Sequence, residues 1–231
     1  MGKLVQRLAT EAGHEVEIAP SLRGEERSVP AFAGFIKGHD VAIDFSVGDA
    51  VKNNVLASLE AGVPLVEGAT GWRDQEEEIR QLVEENKGAL VYGANFSVGV
   101  NLFYRMAKEA AKLFGPIIEY DLFIEEAHHK RKRDAPSGTA LVLKDLAEKA
   151  SGRDVPVSST RAGHIPGTHM IGFDSIADQI TLTHTARSRE GFARGAILAA
   201  EWIKGRKGFY EFAQALDEMM ESRGQRSEVR G

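Results

Sequence analysis

The chain has 231 residues, with 29 Lys+Arg against 34 Asp+Glu, a net charge of −5, 42% hydrophobic residues and no cysteine. This is ordinary globular composition, too acidic for general binding to nucleic acid or anionic membrane, and it excludes disulfides, thiolate metal sites and cysteine nucleophiles. No apolar run approaches the ~18–20 residues that span a bilayer, and Met1-Gly2-Lys3-Leu4 does not open a signal peptide, so a cytoplasmic protein without a membrane partner is expected.

In chain order, Leu4, Val5, Leu8, Ala9 and Ala12 fall at helical spacing, with Gly13 as the stop. Val16 and Ile18 alternate as a short strand closed by Pro20, and 21–30 reads as a loop. Val41–Phe45 is a compact strand, Ala50–Ala61 a helix ended by Gly62, and Val63–Val66 a strand followed by Gly68-Ala69-Thr70-Gly71. The acidic stretch 74–87 is helical with Ile79, Leu82 and Val83 inward, and Ala89–Tyr92 is a strand. Short apolar strands alternating with amphipathic helices predict a parallel sheet covered on both faces, with a cleft beyond the carboxyl ends of its strands.

After residue 96 the pattern changes. A long helix over 98–114 precedes a strand over 120–127 and a helix over 139–150; 176–186 is an alternating strand with Ile180, Leu182, His184 and Ala186 on one face. Helices are expected over 192–203 and 209–220, and a polar, disordered tail from Glu221. The expected domains are a dinucleotide-binding unit over 1–96, to which 206–231 returns, and a mixed α+β unit over 97–205 for substrate and oligomerisation.

A doubly wound nucleotide fold begins strand, Gly-rich turn, helix, and here the helix comes first, with Gly2 as the last possible glycine of that turn. Either the fold starts with a helix, or a strand of about 5–6 residues belongs upstream of Met1. The second is the expectation adopted.

Segment 125–140, EEAHHKRKRDAPSGTA, concentrates two histidines and four cations before a helix start with glycine and hydroxyl residues. A helix N-terminus beside a cation suits a small dianion, and histidine can donate a proton near neutral pH. A solvated basic face, a nucleic-acid surface and a simple turn-and-cap are the competing readings; the acidic net charge disfavours nucleic acid. His128-His129 could ligate a metal, but without cysteine or an H-E-x-x-H pattern no metal is expected.

This segment resembles that of the 4-hydroxy-tetrahydrodipicolinate (dihydrodipicolinate) reductase family. Asp40-Val41-Ala42-Ile43-Asp44-Phe45-Ser46, Gly68-Ala69-Thr70-Gly71-Trp72, Asn95-Phe96-Ser97-Val98-Gly99-Val100-Asn101 and Ser188-Arg189-Glu190-Gly191-Phe192-Ala193-Arg194-Gly195-Ala196 resemble its other motifs in order. The resemblance implies a Rossmann-like domain plus an α+β domain, a homotetramer, and reduction of a cyclic dicarboxylate by NADPH or NADH on the diaminopimelate route to lysine. It further implies His128 as general acid with Lys132 as catalytic partner, His129 as a substrate contact, and Gly138 and Thr139 as donors to a substrate carboxylate. Gly2, the turn Gly68, Ala69 and Thr70, and the turn Gly93, Ala94, Asn95 and Phe96 are the implied cofactor contacts. The departures are the glycine turn, present only as Met1-Gly2, Ala69 for a threonine, and Pro20-Ser21-Leu22-Arg23 where an acidic ribose ligand is expected. A lone arginine there favours the 2′-phosphate of NADPH. The other reading kept open is a dinucleotide- or dicarboxylate-binding remnant without turnover.

Overall fold

The computed structural model describes residues 1–19 and 28–228, with the side chains of 223–228 excepted. The loop holding Pro20, Ser21, Leu22 and Arg23 lies outside the described residues, as does the end of the tail. The chain forms two compact units, Met1–Ser97 with Phe192–Gly231, and Val98–Gly191. The return to the first unit therefore falls at Phe192 rather than at 206.

The first unit contains α1 (Gly2–Glu11), α2 (Val29–Ile36), β1 (Ala42–Asp44), α3 (Val51–Ala61), β2 (Leu65–Glu67), α4 (Glu76–Glu85) and β3 (Ala89–Tyr92). Its sheet is wholly parallel in the order β1-β2-β3-β8, where β8 is Gly208–Glu211, just before α8 (Phe212–Glu228). Val51 and Val55 of α3 and Ile79 and Val83 of α4 pack on Leu65 and Leu90. Val5, Leu8 and Ala9 of α1 pack with Ala193 and Ile197 and take in Ile43 and Phe45. Ala42 of β1 joins the first of these clusters and Ile43 the second, because successive strand side chains point to opposite faces.

Three sequence expectations change here. Helix 209–220 begins as β8, because Phe209 and Tyr210 pair with Leu90 and Val91 of β3, and the helix that follows continues to Glu228 instead of fraying at Glu221. Helix α2 was not anticipated, since VPAFAGFI carries no polar face to reveal a period. Val16 and Ile18 form no strand. A strand needs a ladder neighbour, and residues 14–19 and β1, the first strand in its sheet's order, instead both line a cavity of about 1030 Å³. Val5, Ala9, Val16, Ile18, Ile43 and Phe45 are among its walls.

The second unit contains α5 (Val98–Phe114), β4 (Asp121–His128), α6 (Gly138–Ser151), β5 (Val157–Arg161), β6 (Thr168–Asp174) and β7 (Gln179–Thr185); α7 (Glu190–Ile203) leads back. Its sheet runs β5-β4-β6-β7, with β4 parallel to β5 and antiparallel to β6, the mixed pattern expected of an α+β unit. Strands β5 and β6 were not anticipated; VSSTR is polar and short, and its pairing with β4 comes only from the fold. Phe103, Ala107 and Ala111 of α5 and Leu143 and Ala147 of α6 cover Leu122, Ile124, Ile171 and Phe173.

Candidate active site

The site in the second unit grows out of that core. In β4 the buried positions alternate as Leu122, Ile124, Glu126 and His128. In β6 the side chains on that face are His169, Ile171 and Phe173, and Gly172 between the last two is buried as well. The register pairs Leu122 with Phe173, Ile124 with Ile171 and Glu126 with His169. One helix-covered face of the sheet is therefore hydrocarbon at one end and Glu126, His128 and His169 at the other. Period-2 geometry puts the polar groups where solvent would otherwise reach only the strand ends.

Buried polar groups must be paired. Glu126 Oε2 accepts from His128 Nδ1, and Oε1 accepts from Arg161 Nη2 at 2.6 Å. Arg161 also donates to the Asp134 carbonyl, tying β5 to the basic loop. The His169 ring meets the His128 ring edge-on at 5.1 Å, and its Nε2 lies 3.0 Å from Ser137 Oγ. Ser137 in turn accepts from Ala140 N–H at 3.2 Å and caps α6. The resulting polar chain runs Arg161, Glu126, His128, His169, Ser137 and the first turn of α6.

Burial alone would raise the Glu126 pKa, but hydrogen bonds from Arg161, Ser159 and His128 outweigh it and bring it to about 2. Burial lowers the pKa of His128; the Glu126 hydrogen bond and charge oppose that, while Lys132 and Arg161 reinforce it. Burial, with the nearby His128, brings His169 down to about 4, so its ring is neutral at physiological pH. Glu126, His128 and His169 each offer a ligand atom within 4.8 Å of the others. Both oxygens of Glu126 are already taken by a guanidinium and a ring N–H, so hydrogen bonds close this cluster without a metal ion.

The basic loop folds back on itself: Lys132 N–H donates to His129 O at 3.0 Å, and Lys132 Nζ lies 2.9 Å from Asp134 Oδ1. His129 is half-buried, and its Nδ1 is buried without a hydrogen-bond partner, a polar atom still to be satisfied. Gly138 opens α6, and a side chain there would meet nothing within 4 Å. Thr139 is half-buried, and its carbonyl accepts from Tyr104 Oη at 3.4 Å. The first turn of α6 carries no acidic residue, so its partial positive charge is not offset locally. The structure thus places His128, Lys132, His129, Gly138 and Thr139 along β4, the loop after it and the next helix start. Sequence reasoning missed Glu126, Arg161 and His169. The alternation in EEAH and THMIGF is the signal that could have found the first and last; only the β4–β5 pairing brings Arg161 in.

The turns named in the sequence as candidate cofactor contacts lie in the first unit. Gly68 follows β2 so closely under Phe45 that an added Cβ would come within 2.2 Å of that ring. Gly68 N–H donates to Asp44 O, Ala69 N–H to Glu67 Oε1 at 2.7 Å, and Gly93 N–H to Glu67 O. Asn95 Oδ1 accepts from Ser97 N–H at 2.9 Å, and the Phe96 ring is fully buried between Phe45 and Phe212. Phe96 can therefore offer a ligand only its backbone. Thr70 is exposed on its turn, and Gly2 opens α1, a ten-residue helix with neither a side-chain cap nor an acidic first turn.

Both halves of the sequence match one family. Residues 1–96 match its description "Dihydrodipicolinate reductase, N-terminus", and residues 99–216 match "Dihydrodipicolinate reductase, C-terminus". The chain belongs to the dihydrodipicolinate reductase family. A 4-hydroxy-tetrahydrodipicolinate reductase of Christiangramia forsetii is 35% identical over 195 residues, 79% of this chain and 82% of that one. One from an Anaeromyxobacter species is 39% identical over 209 residues, covering 81% and 77% of the two chains. Among solved structures, the dipicolinate-bound dihydrodipicolinate reductase of Paenisporosarcina sp. TG-14 superposes with a TM-score of 0.65 at 25% identity, covering 74% of this chain and 71% of its own. A probable dehydrogenase from Thermotoga maritima, 9% identical with a TM-score of 0.52 over 92% and 82% of the chains, shares the fold alone.

Proposed function

We propose that this dihydrodipicolinate reductase family member reduces 4-hydroxy-tetrahydrodipicolinate to tetrahydrodipicolinate with NADPH or NADH, a step on the diaminopimelate route to lysine. The observation that carries this reading is the continuity of His128, Lys132 and the uncompensated start of α6. A proton donor, a cation and a helix N-terminus in one segment suit a ring dianion that must gain a hydride and a proton. The relatives named as reductases support it, and no observation favours a non-catalytic remnant.

The first unit fits a dinucleotide. The uncapped start of α1 at Gly2 suits a pyrophosphate, and the turns Gly68–Thr70 and Gly93–Phe96 end adjacent parallel strands, where such sheets bind ligands. When bound, the nicotinamide supplies the hydride. The chain's own residues do the rest. Lys132 and the N–H and hydroxyl groups at Gly138 and Thr139 hold the carboxylates, and the unsatisfied Nδ1 of His129 takes up a further polar contact. His128 Nε2–H breaks as a carbon–hydrogen bond forms at the ring carbon left electron-rich by hydride addition. The reaction balances when the 4-hydroxyl leaves as water together with a proton from an adjacent ring carbon: NAD(P)H is then oxidised, and the one proton consumed is the one that His128 gives to carbon.

Copies of the chain assemble as a cytoplasmic homotetramer through the sheet of the second unit. Support comes from β7, whose residues are mostly exposed, and from Ile180 on it, 41% exposed. Light scattering reads this directly, and a monomeric chain refutes it.

The activity is tested by following NADPH and NADH oxidation with freshly made substrate. His128→Gln is expected to lower kcat by ~10²–10⁴-fold with little change in KM. A variant that turns over like the unaltered chain removes His128 from the chemistry.

A further inference from the structure

We propose that Glu126, fixed in place by Arg161, is the positioning residue that commits His128 to donate its proton from Nε2. This rests on the proton-donor reading of His128 given above.

A carboxylate held by a guanidinium is an acceptor only. Glu126 is wholly buried, its Oε1 is occupied by Arg161 at 2.6 Å, and its Oε2 faces His128 Nδ1. His128 Nδ1 must therefore carry a hydrogen, and the titrating proton sits on Nε2. A Cβ added at Gly167 would fall 3.1 Å from that Nε2, so glycine there keeps this side of the ring uncrowded. The groups acting on the ring pull in both directions. Glu126 on its own strand favours the imidazolium, whereas Lys132 on the following loop, Arg161 on β5 and His169 on β6 bring cations and a second ring against it. Burial also disfavours the charged ring. Glu126 is the anion that offsets these. Without its charge, the ring would be neutral at the pH where it must give up a proton. Both oxygens of Glu126 are taken by Arg161 and His128, so it acts through His128. Arg161 has two functions in the arrangement. It keeps Glu126 ionised, and through the Asp134 carbonyl it fixes the loop that carries Lys132.

The test compares kcat against pH for the full chain, Glu126→Gln and His128→Gln, with saturating NADPH. Glutamine keeps an acceptor for Nδ1–H and the side-chain volume but removes the charge. The alkaline limb of the Glu126→Gln profile is expected to move down by about one pH unit or more, with kcat at pH 7.5 reduced ~10–100-fold and KM for NADPH unchanged. A profile coincident with that of the unaltered chain, while His128→Gln is inactive, overturns the role of Glu126 and leaves that of His128 standing. An active His128→Gln removes both. If Glu126→Gln does not fold, ring ¹⁵N shifts of His128 in the unaltered chain decide. Nδ1 is expected to stay protonated while Nε2 titrates, and the opposite tautomer overturns the proposal.

Discussion

Among the described residues each unit buries one glutamate completely, and the two have opposite fates. Glu67 ends β2 beside Asp44; its Oε1 accepts from Ala69 N–H, and its Oε2 has no hydrogen-bond partner. Burial and the neighbouring charge of Asp44 push its pKa up to about 9. Glu126 is as deeply buried, yet Arg161, Ser159 and His128 hold it at about 2. A carboxyl removed from water must either keep its proton or find a cation, and the fold supplies a cation in only one of the two places. Asp44 supplies no cation: its oxygens accept from Ser46 and Asn54, and as a charged acceptor beside Glu67 it favours the protonated form. Glu67 thus holds the turn after β2 as a neutral acid, and Glu126 holds His128 as an anion.

The comparison breaks most visibly at Arg161. Arg161→Met leaves an ionised carboxylate buried with one strong partner fewer, and a loss of about 3–5 kcal/mol is expected at pH 7. The sign with pH follows from the lowered pKa. The stabilisation is complete above the free value of 4.5 and disappears as pH falls toward about 2. Denaturant unfolding at pH 7 and pH 3 should therefore show the gap between variant and parent closing in acid. An equal gap at both values means that Arg161 contributes packing and not charge pairing.

Glu67→Gln tests the other half with a smaller effect of opposite sign. Folded Glu67 retains a proton that the unfolded chain releases above 4.5. Its contribution is whole below that value and is lost as pH rises toward about 9. Glutamine keeps an acceptor for Ala69 N–H and carries no charge to expel. The variant is expected to gain about 1–3 kcal/mol over the parent by pH 8, and less at pH 5. Melting curves that shift equally at every pH would place the gain elsewhere than in the proton.

Much of the fold around these two glutamates is legible in the sequence, but the glutamates' roles are not. The turns after three short strands, the change of pattern near residue 97 and the segment HHKRKRDAPSGT can all be read from the sequence. Helices with a polar face, such as Glu76–Glu85, announced themselves by period. The apolar VPAFAGFI did not, and Phe209 at the start of β8 was read as helix because strand pairing with β3 is a long-range contact. Glu126, Arg161 and His169 escaped for the same reason. Each is unremarkable locally, and they meet because β4 pairs with β5 on one side and β6 on the other. Glu67 was hidden in a different way: the sequence reads as a strand ending at Val66, and only the packing around β2 shows that it runs on to a buried Glu67.

Ser137 gives the smallest effect and asks how far the ionised network of the second unit extends. Its hydroxyl accepts from Ala140 N–H and lies 3.0 Å from His169 Nε2, so Ser137→Ala removes a helix cap and a buried partner together. About 1 kcal/mol is expected from the cap. If the polar chain from Arg161 to α6 acts as a unit, removing its far end should change what Glu126→Gln costs. A double-mutant cycle of Ser137→Ala with Glu126→Gln is then expected to return a coupling of about 0.5 kcal/mol or more. The two side chains share no direct hydrogen bond, so such coupling has to pass through the His128–His169 ring contact at 5.1 Å. Strict additivity would divide the site into an ion-paired acid on one side and a capped anion-binding helix on the other. Glu126 would then resemble Glu67 more closely, as a local solution to a local burial.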